Sequence, residues 1–502
     1  MATYDLIVIG SGPAGEKGAA QAAYFGKRVA MVERTAPLLG GACTNTGTLP
    51  SKTLRETALA ITGMTSRGLE EAVLSLPRPF AAATLMHRER RVVGSETARL
   101  TRNMERHRIP LIPGTARFTG PHTIEIAETG QKLDADVFLI AVGSRPHRPD
   151  WIPFNEPEIY DSDEILKLAM IPDSLIVLGS GVIASEYACI FAALGVKVTL
   201  MDSRDRLLGF LDVELGDRFA AELQRLGLSL RLGDNPVKCT IDAQTRVCSV
   251  TTEKGFTETG AAVLAAAGRS GNASGLGLEA LGVVPDKRGN LAVNEHFQTE
   301  LPHIYAAGDV IGFPGLASTS MEQGRVAMCH AFHLDYKTRV NPMFPYGIYT
   351  IPELSYVGLN EQELQKKGID YVAGRASMQE NARAEIIGAE SGFLKLLFSP
   401  ADKKLLGIHA MGASVTELIH IGQMALLQGA TIDLFIDAVF NYPTLSELYK
   451  YAAYDGLGAL AHKQVSQAEA SRGGGVVDAG MGRPYSSETS EELSHGTVPD
   501  QR

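Results

Sequence analysis

The N-terminal stretch TYDLIVIGSGPAG, from Thr3 to Gly15, joins a short apolar run to a loop rich in glycine. The run is mostly aliphatic and β-branched, which is typical of a buried parallel strand. Gly10, Gly12 and Gly15 follow in GxGxxG spacing, and the helix-compatible segment EKGAAQAAYFGK comes next. In a dinucleotide-binding unit the first glycine allows a tight turn, the second lets the backbone approach a pyrophosphate, and the third lets the helix pack close to the sheet.

A second strand completes this first unit. The segment RVAMVE ends at Glu33, about 20 residues after the loop, where a carboxylate would accept hydrogen bonds from a ribose. GxGxxG alone also forms ordinary turns, but here strand, helix, strand and terminal acid occur together. The sequence therefore predicts a nucleotide-binding βαβ unit between Thr3 and Glu33.

The same arrangement recurs in the middle of the chain. The strand-like run SLIVLG begins at Ser174, and Gly179, Gly181 and Ala184 follow in GxGxxA spacing. A helix-compatible stretch and the strand VKVTLMD, which ends at Asp202, complete this second unit. Two such units in one chain suggest two bound dinucleotides with electron transfer between them. The alternative is a duplicated fold with one inactive site.

Composition limits the classes of function. The chain has 502 residues and a formal net charge of -10, which argues against nucleic acid or an anionic membrane as the main partner. The N-terminal segment lacks the features of a secretory signal, and no apolar run approaches the length of a membrane span, so a cytoplasmic location without membrane contact is expected. The five cysteines form no CxxC, which suits a reducing compartment, and the histidines show no metal-binding spacing, so no metal site is predicted.

Three further segments pair a strand with glycine. Asp136–Pro146 and Ala261–Gly271 each read as a strand followed by glycine, at points where a nucleotide unit closes and the chain crosses over. A third strand, HIYAAGDVIG, places Asp309 at its carboxyl end, where ligands bind in open α/β sheets. Asp309 is therefore a candidate for binding a ribityl or ribose hydroxyl, and the alternative is a helix N-cap or a turn aspartate.

The last third of the chain has a different pattern. Gly392–Gly412 reads as two strands joined by a polar turn. Ser414 and Glu417 have the spacing of a capping box before an apolar helix, which predicts an α+β module suited to a dimer interface. After about His462 the sequence is rich in Gly, Ser and Glu without periodicity, which predicts a flexible tail.

The chain resembles the flavoprotein pyridine nucleotide–disulfide oxidoreductases in GSGPAG with Glu33, GGAC…GTLPSK, AVGSRP, GSGVIASEYA, AAGRS, YAAGDV and NYPTLSE. The resemblance implies an α/β fold with two Rossmann-like domains, one for FAD and one for NAD(P), and a C-terminal α+β domain that forms a homodimer. The domain boundaries that follow are 1–150 and 270–340 for FAD, 151–269 for NAD(P), 341–462 for dimerisation and 463–502 for the tail.

Two positions depart from the disulfide-reducing members. Those members carry a CxxxxC pair, whereas GGACTNTGTLPSK has Cys43 followed by Thr48, and threonine cannot form a mixed disulfide. They also carry a histidine before the late proline, supplied by the partner subunit, whereas this chain has Tyr442 there and keeps Glu447, which would orient that histidine. The phenol of tyrosine is a poor proton shuttle at neutral pH. This combination resembles the soluble FAD-dependent pyridine nucleotide transhydrogenases.

That resemblance implies a reaction. Without the cysteine pair, the reduced flavin cannot pass its electrons to a disulfide and instead transfers hydride to a second nicotinamide. The result is ping-pong exchange between NADPH and NAD⁺ or the reverse. An NAD(P)H-dependent flavin reductase that acts on a quinone, oxygen or another small acceptor shares every motif. A non-catalytic, flavoprotein-like scaffold is the third alternative, and the intact glycine loops count against it.

The resemblance also implies roles for individual residues. Lys52 would lie near flavin N5, paired with Glu186 beside the nicotinamide. Cys43 has the position of the interchange thiol, and without a partner it is expected to be a buried small hydrophobe, with sulfenic-acid chemistry of the lone thiol as the alternative. Thr48 is expected to pack or hydrogen-bond against the flavin, and Tyr442, through a cis bond to Pro443, to close its far face. The other positions assigned to cofactor binding are Gly41, Ala116, Gly143, Gly268, Arg269 and Ala317.

Cofactor choice in the second unit depends on neighbouring charges. An acid at Asp202 selects NAD by binding its 2′-hydroxyl and repels a 2′-phosphate. Arg204 and Arg206 follow within four residues, and arginine suits phosphate. The mixture fits the use of both nucleotides, while the alternative for both arginines is a solvated turn.

Overall fold

A computed structural model describes residues 2–62, 78–389 and 391–471. Within those residues the strands, in chain order, are β1 (Ala2–Ile9), β2 (Val29–Glu33), β3 (Leu111–Pro113), β4 (Ala116–Gly120), β5 (Thr123–Ile126), β6 (Lys132–Ile140), β7 (Ser144–Pro146), β8 (Ile159–Asp161), β9 (Ser174–Leu178), β10 (Lys197–Asp202), β11 (Ser229–Leu232), β12 (Pro236–Ile241), β13 (Cys248–Thr252), β14 (Thr257–Gly260), β15 (Ala262–Ala265), β16 (Arg269–Gly271), β17 (Ile304–Ala306), β18 (Tyr346–Ile348), β19 (Glu353–Gly358), β20 (Val372–Ser377), β21 (Phe393–Phe398) and β22 (Leu405–Gly412).

The α-helices of the same residues are α1 (Pro13–Tyr24), α2 (Gly41–Asn45), α3 (Thr48–Thr62), α4 (Arg78–Arg106), α5 (Val182–Ala193), α6 (Val213–Arg225), α7 (Ala317–Ala331), α8 (Glu361–Lys366), α9 (Ala382–Ile387), α10 (Val415–Leu427), α11 (Asp433–Asp437) and α12 (Glu447–Ser471). Short 3-10 helices occupy Ile165–Lys167, Leu278–Leu281, Asp309–Ile311 and Met378–Glu380.

The first nucleotide unit (β1, α1, β2) lies at the centre of a seven-stranded sheet in the order β3-β2-β1-β6-β5-β4, with β17 also paired to β6. Strand β1 pairs in parallel with both β2 and β6. Its residues Leu6, Ile7 and Val8 are fully buried, because a central parallel strand is covered on both faces, and this explains its apolar run. The predicted strand, helix and second strand are confirmed here.

The second nucleotide unit (β9, α5, β10) forms a separate five-stranded sheet in the order β11-β10-β9-β15-β8. All of its pairings are parallel. The antiparallel ribbon of β7 and β16 joins the two segments that connect this unit to the first. The two glycine-containing segments predicted as crossovers therefore lie side by side.

The C-terminal sheet is five-stranded and antiparallel, in the order β18-β19-β22-β21-β20. Strands β21 and β22 are the predicted hairpin of Gly392–Gly412. The predicted capping box is wrong: Ser414 has a φ of 57° and its side chain makes no cap hydrogen bond. Helix α12 continues to Ser471, so the prediction of a flexible tail is wrong for residues 463–471, and the rest of that prediction falls on residues 472–502, which lie outside the described residues.

A buried lysine connects the second nucleotide unit to the C-terminal sheet. The Lys395 side chain on β21 is 1% exposed, and its Nζ lies 2.7 Å from Asp212 Oδ1, 3.1 Å from Glu214 Oε2 and 2.6 Å from Glu361 Oε1. Asp212 also caps α6 by accepting hydrogen bonds from two backbone N–H groups. Burial opposes ionisation of Glu214, but hydrogen bonds from Arg375 and Lys395 outweigh it and lower the pKa of Glu214 to about 2.

None of the helices in the described ranges is both long and apolar enough to cross a membrane.

Candidate functional site

A cavity of about 1260 Å³ opens where the two nucleotide units, α3 and the C-terminal sheet meet. Most of the residues predicted for catalysis or cofactor binding line it. They are Gly10, Gly12, Glu33, Gly41, Cys43, Thr48, Lys52, Ala116, Gly143, Gly181, Glu186, Gly268, Arg269, Asp309 and Ala317.

Three of the predicted small residues lie behind the cavity wall, where they allow close packing. A Cβ at Gly15 would stand 2.0 Å from the carbonyl oxygen of Gly10, and one at Gly179 would stand 2.6 Å from that of Ala266. Ala184, in the first turn of α5, has no exposed surface. These positions shape the loops and bring each helix close to its sheet, as GxGxxG and GxGxxA spacing predicts.

Gly12 and Gly181 require a different explanation. Both precede a helix in extended backbone that any residue adopts, with φ of -63° and -83°. A Cβ at Gly12 would meet only the Ala141 carbonyl oxygen, at 4.0 Å, and one at Gly181 would meet nothing within 4 Å. A larger residue at either position would instead place its side chain in the cavity at a helix N-terminus, where backbone N–H groups attract a phosphate. The residues present therefore fit a pyrophosphate at each loop.

Two buried polar atoms of the cavity lining have no hydrogen-bond partner in the described part of the chain. They are Oδ1 of Asn45 and Oδ1 of Asp163. Buried polar groups are normally hydrogen-bonded, so these atoms are available to a polar ligand. They add to the fit between this cavity and a dinucleotide.

Glu33 is held by the loop that precedes it. Its Oε2 accepts hydrogen bonds from the backbone N–H and hydroxyl of Ser11, at 2.9 and 2.7 Å. Its Oε1 accepts from the backbone N–H and hydroxyl of Thr35, at 2.9 and 2.8 Å. The sequence interpretation missed Ser11 and Thr35, although their positions beside the loop and two residues after the acid were a usable signal.

Asp202 occupies the equivalent position in the second unit, outside the lining of the cavity, and has a cationic partner. Its Oδ1 accepts from the backbone N–H and Nε of Arg204 at 2.8 and 3.0 Å, and its Oδ2 accepts from Nη2 at 2.7 Å. Burial opposes ionisation of Asp202, but the hydrogen bonds from Arg204 outweigh it and lower the pKa of the carboxyl. Arg206 instead pairs with Asp217 and donates to the carbonyl of Val213.

The predicted pair of Lys52 and Glu186 is present. Lys52 Nζ on α3 lies 2.6 Å from Glu186 Oε2 on α5, so the pair joins α3 to the second nucleotide unit across the cavity. The other carboxylate oxygen of Glu186 accepts a hydrogen bond of 2.9 Å from the backbone N–H of Tyr349. The sequence interpretation missed Tyr349, because nothing in the local pattern connects it to residues so far away in the chain.

Cys43 lies in α2 beside Thr48, the first residue of α3. All five cysteines are free. Burial raises the pKa of the Cys43 thiol, although a hydrogen bond with Thr48 partly offsets the increase. The thiol is therefore not set up as a reactive thiolate.

Asp309 is the first residue of a 3-10 helix that follows β17. Its Oδ2 accepts a hydrogen bond of 2.9 Å from the hydroxyl of Ser144. Arg269 donates to that hydroxyl oxygen at 2.7 Å and to the Ser144 carbonyl at 2.8 Å. Gly308, not Asp309, is the N-cap residue, and Asp309 faces the cavity.

Tyr442 and Glu447 lie on the C-terminal part of the chain, outside the cavity. Tyr442 is 75% exposed and precedes Pro443 through a cis peptide bond, as predicted. Glu447 begins α12, and its carboxylate accepts a hydrogen bond of 3.5 Å from the backbone N–H of Thr444. Within one chain neither residue reaches Lys52 or Glu186, so their predicted roles depend on a second subunit.

Comparison with known proteins agrees with this geometry. Residues 4–324 match the family model for pyridine nucleotide-disulphide oxidoreductase, and residues 344–453 match the dimerisation domain of the same family. The chain belongs to this family. The predicted fold class is thereby confirmed, and the chain is an oxidoreductase. The family is FAD-dependent and uses NAD(P), so the predicted cofactors are confirmed as those of the family.

Several curated relatives of this pyridine nucleotide-disulphide oxidoreductase share the same name. A "soluble pyridine nucleotide transhydrogenase" of Mycobacterium tuberculosis is 45% identical over 460 residues, covering 91% of this chain and 97% of the relative. One of Chromohalobacter salexigens is 43% identical, covering 90% and 98%. The predicted resemblance to the soluble transhydrogenases is confirmed.

Solved structures share the fold at lower identity. A Cu(II) complex of the HOCl-induced flavoprotein disulfide reductase RclA of Escherichia coli matches with a TM-score of 0.82 and 26% identity, covering 90% of this chain and 99% of that one. LpdA of Mycobacterium tuberculosis matches with a TM-score of 0.81 and 26% identity, covering 89% and 99%. The fold of this pyridine nucleotide-disulphide oxidoreductase thus accommodates disulfide reduction in a relative.

Proposed function

We propose that this oxidoreductase exchanges hydride between NADPH/NADP⁺ and NADH/NAD⁺ through FAD in a ping-pong cycle, without a redox-active disulfide. The observation that carries the proposal is that Thr48, and not a second cysteine, lines the cavity with Cys43, while Lys52 and Glu186 remain paired there. The names of the curated relatives support the same activity.

The residues that would hold FAD are those of the first unit and its surroundings, above all Gly10, Gly12, Glu33 and Asp309. When bound, FAD supplies the two-electron chemistry, since it takes a hydride from one nicotinamide nucleotide and returns it to another. Lys52, fixed by Glu186, supplies a cation in the cavity wall that favours negative charge on a bound group. Thr48 offers no thiol, so the site lacks the cysteine pair through which a disulfide would be reduced, and a second nicotinamide nucleotide is proposed as the acceptor.

The decisive experiment is an anaerobic transfer assay. The FAD-loaded protein is reduced with NADPH, freed of nucleotide and mixed with thio-NAD⁺, while parallel samples receive lipoamide, glutathione disulfide or a quinone. We expect fast transfer to thio-NAD⁺ and parallel initial-velocity lines, which are the signature of a ping-pong mechanism. Fast transfer to the quinone alone would establish the alternative, an NAD(P)H-dependent flavin reductase, and reduction of either disulfide would contradict the proposed role of Thr48.

We also propose that both nicotinamide nucleotides use the second unit and that Arg204 allows this. The acid of the first unit is held by neutral donors from Thr35, whereas Asp202 is neutralised by the guanidinium of Arg204 two residues on. The Arg204 side chain is 59% exposed, so it is free to turn from Asp202 to a 2′-phosphate. Asp202 then binds the 2′-hydroxyl of NAD, and Arg204 binds the 2′-phosphate of NADP.

Substitution of Arg204 by glutamine should weaken NADP⁺ binding by about 10- to 100-fold and change NAD⁺ binding by less than about twofold. The loss combines a missing charge-assisted hydrogen bond with an Asp202 carboxylate that is no longer neutralised. Titration calorimetry of the FAD-loaded protein with each nucleotide measures both constants.

Arg206→Gln is the matched control, since it removes the same charge only two residues along the chain. Arg206 pairs with Asp217 and not with Asp202. Its affinity for NADP⁺ should stay close to that of the unmodified chain. Equal losses in the two variants would indicate a general electrostatic effect and contradict the specific role of Arg204.

The assembly of the chain bears on how its cavity is closed. The dimerisation domain supports a homodimer, and we propose that Tyr442 of one subunit closes the cavity of the other, with Glu447 beside it. We further propose a cytoplasmic location. Sedimentation of the FAD-loaded chain tests the assembly and also reveals any larger homo-oligomer.

A further inference from the structure

Tyr349 contacts both members of the Lys52–Glu186 pair, although it comes from a third part of the chain. Its backbone N–H donates to Glu186 Oε1 at 2.9 Å, while Lys52 Nζ occupies Oε2 at 2.6 Å. The Tyr349 ring lies under the same ammonium, with Nζ 5.0 Å from the ring centroid. Both carboxylate oxygens are therefore occupied, and the cation also faces an aromatic ring.

Segment 349–353, which begins with Tyr349, is bound to α3 by a hydrogen bond and an ion pair. Arg55 Nε donates to the carbonyl oxygen of Thr350 at 2.9 Å, and its Nη2 lies 3.1 Å from Glu353 Oε1. Arg55 follows Lys52 by three residues, so the two project from one face of the helix. The Arg55 side chain is 5% exposed and that of Glu353 is 9% exposed. Segment 349–353 thus has a fixed position relative to the helix of Lys52.

Helix α10, which packs on the C-terminal sheet, fixes the same segment from its other side. Glu353 Oε2 accepts hydrogen bonds from the backbone N–H and hydroxyl of Thr416, at 3.1 and 2.7 Å. Segment 349–353 is therefore held on one side by Arg55 of α3 and on the other by Thr416 of α10, and Tyr349, at its start, contacts Lys52 and Glu186.

The fixed position of Tyr349 matters because the Lys52–Glu186 pair that it contacts is only partly enclosed. The Glu186 side chain is 5% exposed, whereas that of Lys52 is 23% exposed and ends a flexible chain of four methylene groups. Without the ring, the ammonium keeps one carboxylate oxygen and its contact with Ser51 Oγ at 3.3 Å, and gains freedom to turn toward solvent. Displacement of a positioned group by even about 1 Å lowers reaction rates strongly.

We propose that Tyr349 is a positioning residue, by which the C-terminal sheet holds Lys52 and Glu186 in the geometry needed for hydride exchange. The proposal rests on the proposed function. It makes the C-terminal sheet a direct part of the reaction site in the same subunit, besides its part in dimerisation.

The test compares Tyr349→Leu, which removes the ring, with Tyr349→Phe, which keeps it. Stopped-flow reduction of the FAD-loaded protein by NADPH separates the limiting rate from the dissociation constant. For Tyr349→Leu we expect the limiting rate to fall about tenfold with the dissociation constant within about twofold, and for Tyr349→Phe we expect near-normal values of both. Tyr336→Leu is the matched control, because this tyrosine is 59% exposed, stacks on Phe25 and is not one of the residues that line the cavity.

A second readout does not depend on turnover. The reduction potential of the bound flavin, measured by equilibration with a dye, should become more negative in Tyr349→Leu, because a loosely held ammonium stabilises added negative charge less well. A purely structural role for Tyr349 would lower the melting temperature or the FAD content without this change. Tyr349→Met, which fills similar space without an aromatic face, replaces Tyr349→Leu if the latter does not retain FAD.

The outcomes separate this inference from the function on which it rests. If the unmodified chain fails to pass hydride from NADPH to thio-NAD⁺, the proposed function is contradicted. If the unmodified chain transfers hydride but Tyr349→Leu keeps its limiting rate and potential, Tyr349 is not a positioning residue. A raised dissociation constant with an unchanged rate would assign Tyr349 to nucleotide binding and would equally overturn the inference.

Discussion

Substitution of Lys52 by methionine should slow the reduction of the FAD-loaded protein by NADPH by about 100-fold or more. The change removes the cation from the cavity wall and leaves Glu186, 5% exposed, without its ionic partner. Anaerobic stopped-flow measurement of flavin bleaching gives the rate. Lys132→Met is the control, since Lys132 is 48% exposed and lies 3.9 Å from its nearest carboxylate, and its rate should be unchanged.

A double-mutant cycle shows whether Lys52 and Glu186 act as a unit. We expect Glu186→Gln alone to lower the same rate, and the double variant Lys52→Met, Glu186→Gln to be much less impaired than the product of the two single effects. Strictly multiplicative effects would mean that the two side chains act independently. A Lys52→Met variant with an unchanged rate would remove Lys52 from the reaction altogether.

Substitution of Lys395 by methionine should lower the free energy of unfolding by about 3–5 kcal/mol, because it leaves the buried carboxylate of Asp212 without its ionic partner. Lys395 is 1% exposed and contacts Asp212, Glu214 and Glu361. Urea titration followed by circular dichroism measures the loss. Lys404→Met is the control, since Lys404 and its partner Asp402 are both largely exposed, and exposed pairs contribute at most about 1 kcal/mol.

The same cluster predicts a dependence of stability on pH. Glu214 has a pKa of about 2 in the folded chain against an ordinary 4.5, and the pKa of Asp212 is also lowered. A carboxyl with a depressed folded pKa stabilises the fold above its unfolded pKa, and this contribution is lost as the pH falls toward the folded value. The urea midpoint should therefore decrease as the pH is lowered from about 5 to about 2. Over the same range the difference in urea midpoint between the unmodified chain and Lys395→Met should become smaller. A difference that stays constant would contradict the assignment of the lowered pKa values to Lys395.

The sequence predicted the parts of the site that local spacing determines. Each glycine loop and its terminal acid belong to one continuous βαβ unit, so period and spacing were enough to place Gly12, Glu33 and Gly181. The pair of Lys52 and Glu186 came from resemblance, since the two residues are 134 positions apart. Without that resemblance no local rule would have joined them.

Other features escaped prediction for physical reasons. Tyr349 lies 163 residues from Glu186, and Thr350 lies 295 residues from Arg55, so these contacts exist only once separate sheets have packed together. The capping box failed at Ser414 because the backbone there is left-handed, which turns the side chain away from the helix N-terminus. Spacing alone does not encode that backbone angle.

The position of β17 has a consequence for how the chain is made. Strand β6 pairs with β1 along one side, and on the other side β5 pairs with its first residues and β17 with its last three, although β17 is synthesised about 160 residues later. The sheet of the second unit, in contrast, is complete by residue 265. As the polypeptide leaves the ribosome, all strands of the middle sheet are available first, whereas the carboxyl end of β6 keeps an open edge until residue 306 emerges. The sheet that carries the first glycine loop is thus the later of the two to be completed, although its first strand leaves the ribosome before any other.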